Sequence, residues 1–367
     1  MQKIPKTESP TQLVKKRLFY NKPAVWGLCI IIIAIFISLF AYVLIPDRTP
    51  NANGGLLELK KLPPFSTVQL LKLKQEKQIE SNGVLGLFVG FENDTKYIPV
   101  EAVKQIGDSV VVDIYRGLGI YKEVIHVSKL YSKDLNASLE SGWFLMGTDQ
   151  AGRDVFSRLL LGTRISLSIG FIAVIISLVV GILIGSLAGF FRSWVDQVLM
   201  WFTTVIWSIP GIMLVISISI ALDSAGVWVT FMAVGLTMWV EVARVVRGQI
   251  IEIRVKSFVE AAHTIGASSF HIIRKHILPN IMGPIIVVAT SNFAAAILIE
   301  AGLSFLGLGV QPPTPSWGLM VHEGFQLMGT SNSWHLIVFP SVAISILVLA
   351  FNLLGNGLRD AFDPKSN

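Results

Sequence analysis

The stretch ISLSIGFIAVIISLVVGILIGSLAGFF, residues Ile165–Phe191, carries no Asp, Glu, Lys or Arg. A bilayer hydrocarbon core about 30 Å thick is crossed by roughly 20 helical residues, at about 1.5 Å of rise each. Because lipid offers the backbone no hydrogen-bond partner, an apolar run of this length is expected to cross the membrane as an α-helix. The stretch therefore predicts a membrane protein with a helical body.

The composition agrees with an all-α polytopic membrane protein. Of the 367 residues, 52% are hydrophobic and 15% are charged, against roughly 25% charged in soluble proteins; the mean hydropathy is +0.64. Apolar runs predict six transmembrane helices, at residues 24–45, 165–191, 198–222, 224–243, 280–300 and 336–358. The first run exceeds the apolar core of a signal peptide and no small-residue cleavage site closes it, so we expect a retained N-terminal anchor.

The distribution of Lys and Arg predicts the orientation. Residues 1–23 hold six of these residues, residues 243–279 hold six more, and residues 306–334 hold none. Since short cytoplasmic flanks carry the positive excess, we expect both the N-terminal segment 1–23 and the tail 361–367 in the cytoplasm. The formal net charge of +6 is explained by this topology and indicates no nucleic-acid partner.

Residues 46–141 are too many for a loop in a compact protein, and the predicted topology places them outside the membrane. Alternating or β-branched runs predict strands at VLGLFVGF (84–91), TKYIPV (95–100), SVVVDIY (109–115) and YKEVIHVS (121–128). We expect an inserted, small β-rich extracytoplasmic domain that acts as a spacer or docking surface, because no catalytic or metal spacing occurs there. His126 is expected to be half-buried in this sheet, and Cys29, the single cysteine, to be a buried apolar residue.

The polar segment 257–279, SFVEAAHTIGASSFHIIRKHILP, separates two predicted spans. Ser257 and Glu260 have the spacing of a capping box at a helix start. The apolar face of this helix would consist of Phe258, Ala261, Ala262 and Ile265. A helix of about two turns with alanines at its centre is too small to be stable alone, so we expect it to enter a groove of a partner protein rather than to lie on lipid.

The remainder of this segment predicts a turn and a second helix. Gly266 can adopt the left-handed conformation that ends a helix. Ser268 or Ser269 can cap a second short helix that runs to Leu278, where Pro279 limits what precedes it. The prediction is a helix, a glycine elbow and another helix on the cytoplasmic side.

This segment resembles the EAA signature of permease subunits of ATP-binding-cassette (ABC) importers. The matching pattern is Glu260-Ala261-Ala262, three residues, Gly266, eleven residues and then Leu278-Pro279. His276 replaces the isoleucine usual in that family. Residues 144–171 and 300–318 are similar to the second, C-type permease of the dipeptide, oligopeptide and nickel branch. The resemblance is close over 142–360 and loose over 15–45, whereas 46–141 has no counterpart in the usual family member.

The resemblance implies an ABC type I permease core of five helices at 142–360, preceded by the anchor, in the inner (plasma) membrane. It implies a subunit without catalytic residues, cofactor or metal, which moves peptides; nickel or another small solute is the alternative substrate. The implied partners are a homologous permease, two ATPase subunits and an extracytoplasmic substrate-binding protein. The residues implied to couple to the ATPase are Glu260, Ala261, Ala262, Ile265, Gly266, Leu278 and Pro279.

Two other classes of function are compatible with parts of the sequence. Glu241 and Glu300 lie at the edges of predicted spans, where an ion-coupled carrier would place acids, but no inverted repeat accompanies them. A membrane-anchored sensor led by the outer domain is a third possibility. Residues proposed to line or kink the pathway are Trp201, Trp207, Pro210, Trp239, Glu241 and Glu300.

Two apparent sites have simpler explanations. Asp149, Arg153 and Asp154 fit no metal loop, and capping of an interfacial helix by Thr148 or Asp149 is favoured instead. His263, His271 and His276 lack the spacing of zinc ligands. No Gly-x4-Gly-Lys-Ser/Thr sequence is present, so we expect no ATP-binding loop in this chain.

Overall fold

A computed structural model of the chain describes residues 10–74, 83–91, 95–115, 120–132, 134–222 and 226–363. The chain divides into two compact units. The first comprises Met1–Ala34, Leu167–Leu303 and Ile344–Asn367, and the second comprises Ile35–Ser166 and Ser304–Ala343.

The helices, in chain order, are α1 Pro10–Tyr20, α2 Lys22–Leu44, α3 Gly86–Val89, α4 Leu135–Ser138, α5 Val155–Phe191, α6 Ser193–Trp207, α7 Gly211–Ala221, α8 Val227–Ile253, α9 Ser257–Thr264, α10 Ser269–Ile272, α11 Met282–Phe305, α12 Trp317–Gln326 and α13 Trp334–Phe362. Five segments of the described chain are long and apolar enough to cross a membrane: α2, α5, α8, the continuous helix Ser269–Phe305 that includes α11, and α13. The chain therefore has the helical body of a polytopic membrane protein.

Helices α5 and α8 are each about ten residues longer at one end than the predicted apolar runs. The helix α5 begins at Val155 instead of residue 165, and α8 continues to Ile253 instead of ending at 243. The extensions contain charged residues and so do not belong to the uncharged runs. Charge does not prevent helix formation, and two of these charges have partners: Arg158 lies 3.4 Å from Glu323, and Arg247 forms an ion pair with Asp196.

The predicted span 198–222 is not one straight helix. Helix α6 ends at Trp207, and α7 begins at Gly211 with its axis bent by 92°. Pro210 is the residue before α7, and its extended backbone (φ −52°, ψ 127°) interrupts the helical path. Proline supplies no N–H and disfavours helical geometry at the preceding residue, which explains the break.

Helices α5 and α8 approach closely along a stripe of glycines in the first unit. A Cβ atom built on Gly181 would lie 2.5 Å from the Val242 Cβ, and one built on Gly185 would lie 2.5 Å from the Ala243 carbonyl oxygen. Small residues spaced four apart let helix backbones meet in a membrane, where van der Waals packing drives association. This stripe thus sets the distance between the two helices.

The second unit contains an antiparallel five-stranded sheet of order β4-β3-β2-β1-β5. Its strands are β1 Ser66–Lys74, β2 Thr95–Ile106, β3 Ser109–Tyr115, β4 Ile120–His126 and β5 Leu139–Phe144. The register pairs Leu71 with Ile98, and Val103 with Val112. Side chains of four of these strands form a core with Leu71, Val100, Val110, Val112, Ile114 and Ile125, and Leu130, which follows β4, joins it.

Several local expectations for these regions are wrong. The segment 84–91 is not a strand: a 3₁₀ turn at Gly83–Leu85 leads into α3. His126 is exposed rather than half-buried, because it ends the edge strand β4 beyond the core residue Ile125. Cys29 is exposed on α2, so it is not a buried apolar residue of this chain.

Candidate functional site

The segment after α8 begins with a tight turn. Arg254 Nη1 donates a hydrogen bond to the Phe190 carbonyl oxygen at 2.8 Å, which fixes the turn to the end of α5. Lys256 is the N-cap residue of α9, with extended backbone and no side-chain cap. The predicted capping box of Ser257 and Glu260 is therefore wrong: Ser257 is already the first helical residue, so its side chain is one position too late to cap.

Helix α9 divides its apolar residues between two directions. Val259 and Ala262 are buried in a cluster with residues of α8 and of the following helix, including Ile253, Ile272, Ile277 and Ile281. Phe258, Ala261 and Ile265 are exposed, with Ile265 84% accessible. The single apolar face predicted from the sequence is thus two faces, of which one holds α9 to its own chain and the other is open.

Gly266 turns the chain after α9. Its φ of +81° lies in the left-handed region. The Gly266 N–H donates to the His263 carbonyl oxygen at 3.0 Å, and the Ala267 N–H donates to the Ala262 carbonyl oxygen at 3.1 Å. This pair of hydrogen bonds is a Schellman motif, and the predicted role of Gly266 in ending the helix is confirmed.

The second helix starts as predicted but does not stop at Leu278. Ser268 caps α10, with its Oγ accepting a hydrogen bond from the His271 N–H at 3.3 Å. The chain then passes through a π-turn at Ile273–Ile277 and a 3₁₀ turn at Leu278–Ile281 into α11. Pro279 is tolerated because the looser π-turn and tighter 3₁₀ turn replace the regular hydrogen-bond ladder around it.

The predicted coupling residues are close together but differ in environment. Glu260, Ala261, Ile265 and Gly266 are exposed on α9 and its turn, whereas Ala262 is 4% exposed. Leu278 packs against the same buried cluster as Ala262, and Pro279 is exposed. Phe270, which was not among the predicted coupling residues, is 71% exposed and follows Gly266 by four residues. The sequence could have indicated it, because a large apolar side chain lies two residues after the N-cap Ser268 of α10.

The residues proposed to line the pathway differ in their exposure and contacts. Trp207 is exposed and lies under the Arg244 guanidinium, 4.0 Å from the ring centroid, and Pro210 marks the bend. Glu241 is exposed on α8, while Glu300 is 1% exposed inside α11 and not at the edge of a span. Trp201 is exposed, and Trp239 is buried and stacks on Phe202.

The second unit contains a buried charge cluster that sequence reasoning did not identify. Arg153 Nε lies 2.6 Å from Asp149 Oδ2, and Arg153 Nη2 lies 3.1 Å from Glu323 Oε2. Arg158, fully buried, approaches Glu323 at 3.4 Å and Asp149 at 3.5 Å. Two cations and two anions balance, as buried charges require. The sequence could have indicated such a cluster, because buried charged side chains require partners of opposite charge.

Asp154, rather than Thr148 or Asp149, caps the adjoining helix α5. Its Oδ2 accepts a hydrogen bond from the Ser157 N–H at 2.8 Å. Burial raises the pKa of the Asp154 carboxyl above its ordinary value, against the lowering effect of the hydrogen bonds from Ser157. Thr148 instead donates to the Leu59 carbonyl oxygen and accepts from the Leu62 N–H at 2.9 Å. Asp154 was the better candidate because it directly precedes the helix.

The histidines have ring contacts and no metal geometry. The His263 ring stacks on Phe190 with centroids 5.9 Å apart, and the His271 and His276 rings are also 5.9 Å apart. Over the part of the chain that the structure describes, no three His, Cys, Asp or Glu side chains are grouped to hold a metal ion.

Comparison with known proteins decides the family. Residues 181–367 match the family described as binding-protein-dependent transport system inner membrane component. The chain belongs to this family. Residues 9–64 of the permease also match the N-terminal TM domain of oligopeptide transport permease C. The predicted resemblance to the C-type permeases of peptide importers is confirmed.

Named relatives of this permease have related descriptions. It is 44% identical to the dipeptide transport system permease protein DppC of Bacillus subtilis over 61% of this chain and 68% of that protein. It is 40% identical to the oligopeptide transport system permease protein OppC of the same organism, over 61% and 72%. It is 41% identical to the glutathione transport system permease protein GsiD of Pectobacterium atrosepticum, over 60% and 72%.

Among solved structures, the inward-facing MetNI methionine ABC transporter aligns at a TM-score of 0.48 and 19% identity, over 57% of this chain and 97% of that chain. Family membership establishes the chain's general role: it is a multi-pass inner-membrane permease subunit that forms a translocation pathway. It is not an enzyme, and it works with ATPase and substrate-binding partners.

Proposed function

We propose that this permease imports peptides and that residues 257–279 couple its conformation to ATP hydrolysis by the partner ATPase. The observation that carries the proposal is the open face of α9: Phe258, Ala261 and Ile265 are exposed while Val259 and Ala262 on the same helix are buried. A rigidly anchored helix with an uncovered apolar face is suited to enter a groove on a partner. The small Ala261 lets the backbone of α9 approach such a groove closely.

The anchoring of α9 supports a mechanical role. Val259 and Ala262 share one buried cluster with Val246 and Ile250 of α8 and with Ile281, which precedes α11. A displacement of α9 would therefore move two membrane helices, α8 and α11, at the same time. ATP binding and hydrolysis by the partner can bias two conformations of the pathway only through a contact of this kind.

The proposed topology has six spans with both termini in the cytoplasm. It counts the bent pair α6–α7 as one span beside the five long helices. With the basic segments 1–23 and 243–279 inside, the sheet of residues 66–144 lies on the outer side as an inserted domain. Within this scheme, residues 142–360 are the permease core, and Trp207, Pro210, Glu241 and Glu300 are candidates for the pathway.

Peptides are the proposed substrate because the relatives named above are described as dipeptide, oligopeptide and glutathione permeases. A second, homologous permease is the proposed partner across the pathway. The substrate test uses the assembled importer: its binding protein is isolated with the complex, and ATP hydrolysis is measured with dipeptides, longer peptides, glutathione or a nickel complex. Stimulation by a nickel complex alone would contradict the peptide proposal.

The docking test uses Ala261→Arg in the importer reconstituted in lipid nanodiscs. We expect uptake and substrate-stimulated ATP hydrolysis to be lost while the permease remains inserted and folded, because Ala261 is exposed and its replacement disturbs no internal packing. The matched control is Ala102→Arg, the same change at an exposed alanine of β2. Normal coupling in Ala261→Arg would refute the docking role.

A further inference from the structure

A short segment of the second unit exposes four large apolar side chains. They lie in the 3₁₀ turn and α3, where Leu85 is 70%, Leu87 39%, Phe88 58% and Val89 55% accessible. A folded protein rarely leaves a contiguous apolar patch of this kind in water without a partner. The position of the segment along the chain's membrane helix indicates what that partner is.

Arg164 connects this segment to α2. Its Nε donates a hydrogen bond to the Ser38 carbonyl oxygen at 3.1 Å, and its Nη1 donates to the Phe88 carbonyl oxygen at 2.6 Å. The guanidinium carbon also lies 5.6 Å from the centroid of the Tyr42 ring and 5.9 Å from that of the Phe88 ring. One guanidinium group thus places Phe88 beside residues 38–42 of α2.

The level of Ser38 along α2 gives the depth of Phe88. The 23 residues of α2 span about 35 Å at about 1.5 Å per residue, against about 30 Å of hydrocarbon. If α2 is centred, about 2–3 Å projects at each end. Ser38 lies six residues before Leu44, with a kink at Phe40 between them; the rise is therefore at most about 9 Å, and Ser38 is no more than about 6 Å inside the hydrocarbon edge. Phe88, which shares a hydrogen-bond donor with Ser38, lies close to the boundary between headgroups and acyl chains.

The neighbouring surface of α2 is itself apolar and open. Phe36, Leu39, Phe40 and Val43 are all exposed in this part of the helix. In a membrane-spanning helix, such a surface faces lipid. The hydrogen bonds of Arg164 place Phe88 beside the end of this helix nearest Leu44, so the lipid around that end of α2 is available to cover residues 85–89 as well.

The arginine is compatible with this depth. Two backbone carbonyl oxygens accept hydrogen bonds from Arg164, and two aromatic rings flank its charge. Long cationic side chains at the ends of spans keep their charge near the interface while their stems lie against apolar surface. The backbone of the segment is also partly satisfied, since the Gly90 N–H donates to the Gly86 carbonyl oxygen and the Phe91 N–H to the Arg48 carbonyl oxygen.

We propose that residues 85–89 insert into the headgroup–acyl boundary of the bilayer. Leu85, Leu87, Phe88 and Val89 then contact lipid, and the sheet-bearing region is held to the membrane surface at a point additional to the spans. This inference concerns lipid contact and goes beyond the proposed transport function. It does not depend on the substrate or on the ATPase-docking segment.

The experiment measures whether a nitroxide at these positions is in lipid. The assembled importer, with Cys29→Ala in the permease, is reconstituted in nanodiscs of phospholipid, and single cysteines are introduced as Leu85→Cys or Leu87→Cys. The spin label's accessibility is measured with molecular oxygen, which concentrates in lipid, and with a water-soluble nickel chelate. Leu39→Cys on the exposed face of α2 is the lipid reference, and Gln105→Cys, exposed beside the β2–β3 turn, is the water reference.

The proposal expects an oxygen-to-nickel accessibility ratio near that of Leu39→Cys at both positions, several-fold above that of Gln105→Cys. A ratio near the water reference would overturn it. Low accessibility to both reagents would overturn it as well, because the segment would then be covered by protein. Two test positions keep the experiment decisive if one variant fails to assemble, and retained uptake by the labelled importer shows that the fold is intact.

Discussion

The guanidinium of Arg247 on α8 binds both carboxylate oxygens of Asp196 on α6, with Nε–Oδ1 at 2.6 Å and Nη2–Oδ2 at 2.7 Å. Planar arginine matches a carboxylate with two parallel hydrogen bonds, which lysine cannot reproduce. The pair connects the start of the bent segment α6–α7 to the helix that leads directly into α9.

We expect Arg247→Lys to weaken this connection almost as much as Arg247→Ala. Both partners are only partly buried, so the loss is about 1 kcal/mol of stability. Unfolding is followed by tryptophan fluorescence of the purified permease complex at two salt concentrations. In Asp196→Ala, the further change Arg247→Ala should have little effect; full additivity of the two would show that the pair contributes nothing.

The glycine stripe of α5 makes a second prediction. Gly185→Ala places a Cβ about 2.5 Å from the Ala243 carbonyl oxygen, which is backbone and cannot rotate away. The helices must separate, at a cost of about 1–3 kcal/mol, and the yield of folded permease should fall. Gly248→Ala is the control, since no atom lies within 4 Å of its added Cβ. Equal thermal stability of the two variants would contradict this packing.

Substitutions at Gly266 test the effect of backbone conformation alone, because an added side chain causes no steric clash at its Cβ. Its φ is +81°, and an added Cβ would meet no atom within 4 Å. Asparagine tolerates the left-handed region better than β-branched residues do. We therefore expect Gly266→Asn to retain most uptake and Gly266→Val to lose it, with ATP hydrolysis no longer stimulated by substrate. If valine were tolerated as well as asparagine, the left-handed turn would not matter for coupling.

Asp154 should make stability depend on pH. Because burial raises its pKa above the ordinary 3.8, the folded chain binds this proton more tightly than the unfolded chain. The stabilisation appears as the pH falls through the raised folded pKa and is complete below the unfolded value. Asp154→Asn should keep the helix cap and be at least as stable as the wild type at neutral pH, whereas Asp154→Ala loses about 1 kcal/mol with the cap.

The measurement is the unfolding temperature of the three proteins between pH 4 and 7. The difference between Asp154→Asn and the wild type should shrink as the pH falls, because protonation makes the two side chains equivalent in charge. A difference that is constant over this range would contradict the raised pKa.

Features that depend on residues close together in the chain follow from the sequence alone. Uncharged runs such as 165–191 had to become helices because lipid leaves the backbone no other partner, and Gly266 ended α9 through hydrogen bonds within six residues. The EAA pattern, together with the two stretches around residues 144–171 and 300–318, was sufficient to identify the family.

Which of two adjacent alanines faces inward depends on contacts with distant parts of the chain. Both Ala261 and Ala262 fit an apolar face, but Ala262 meets the cluster of Ile272 and Ile277, and Ala261 remains open. Likewise, the charge of Arg158 on α5 is buried beside Glu323, far away in sequence, which comes within 3.4 Å of it. The spacing of apolar residues along a helix indicates which side chains can be buried. The residues that cover such a side chain, or neutralise a buried charge, come from another part of the chain.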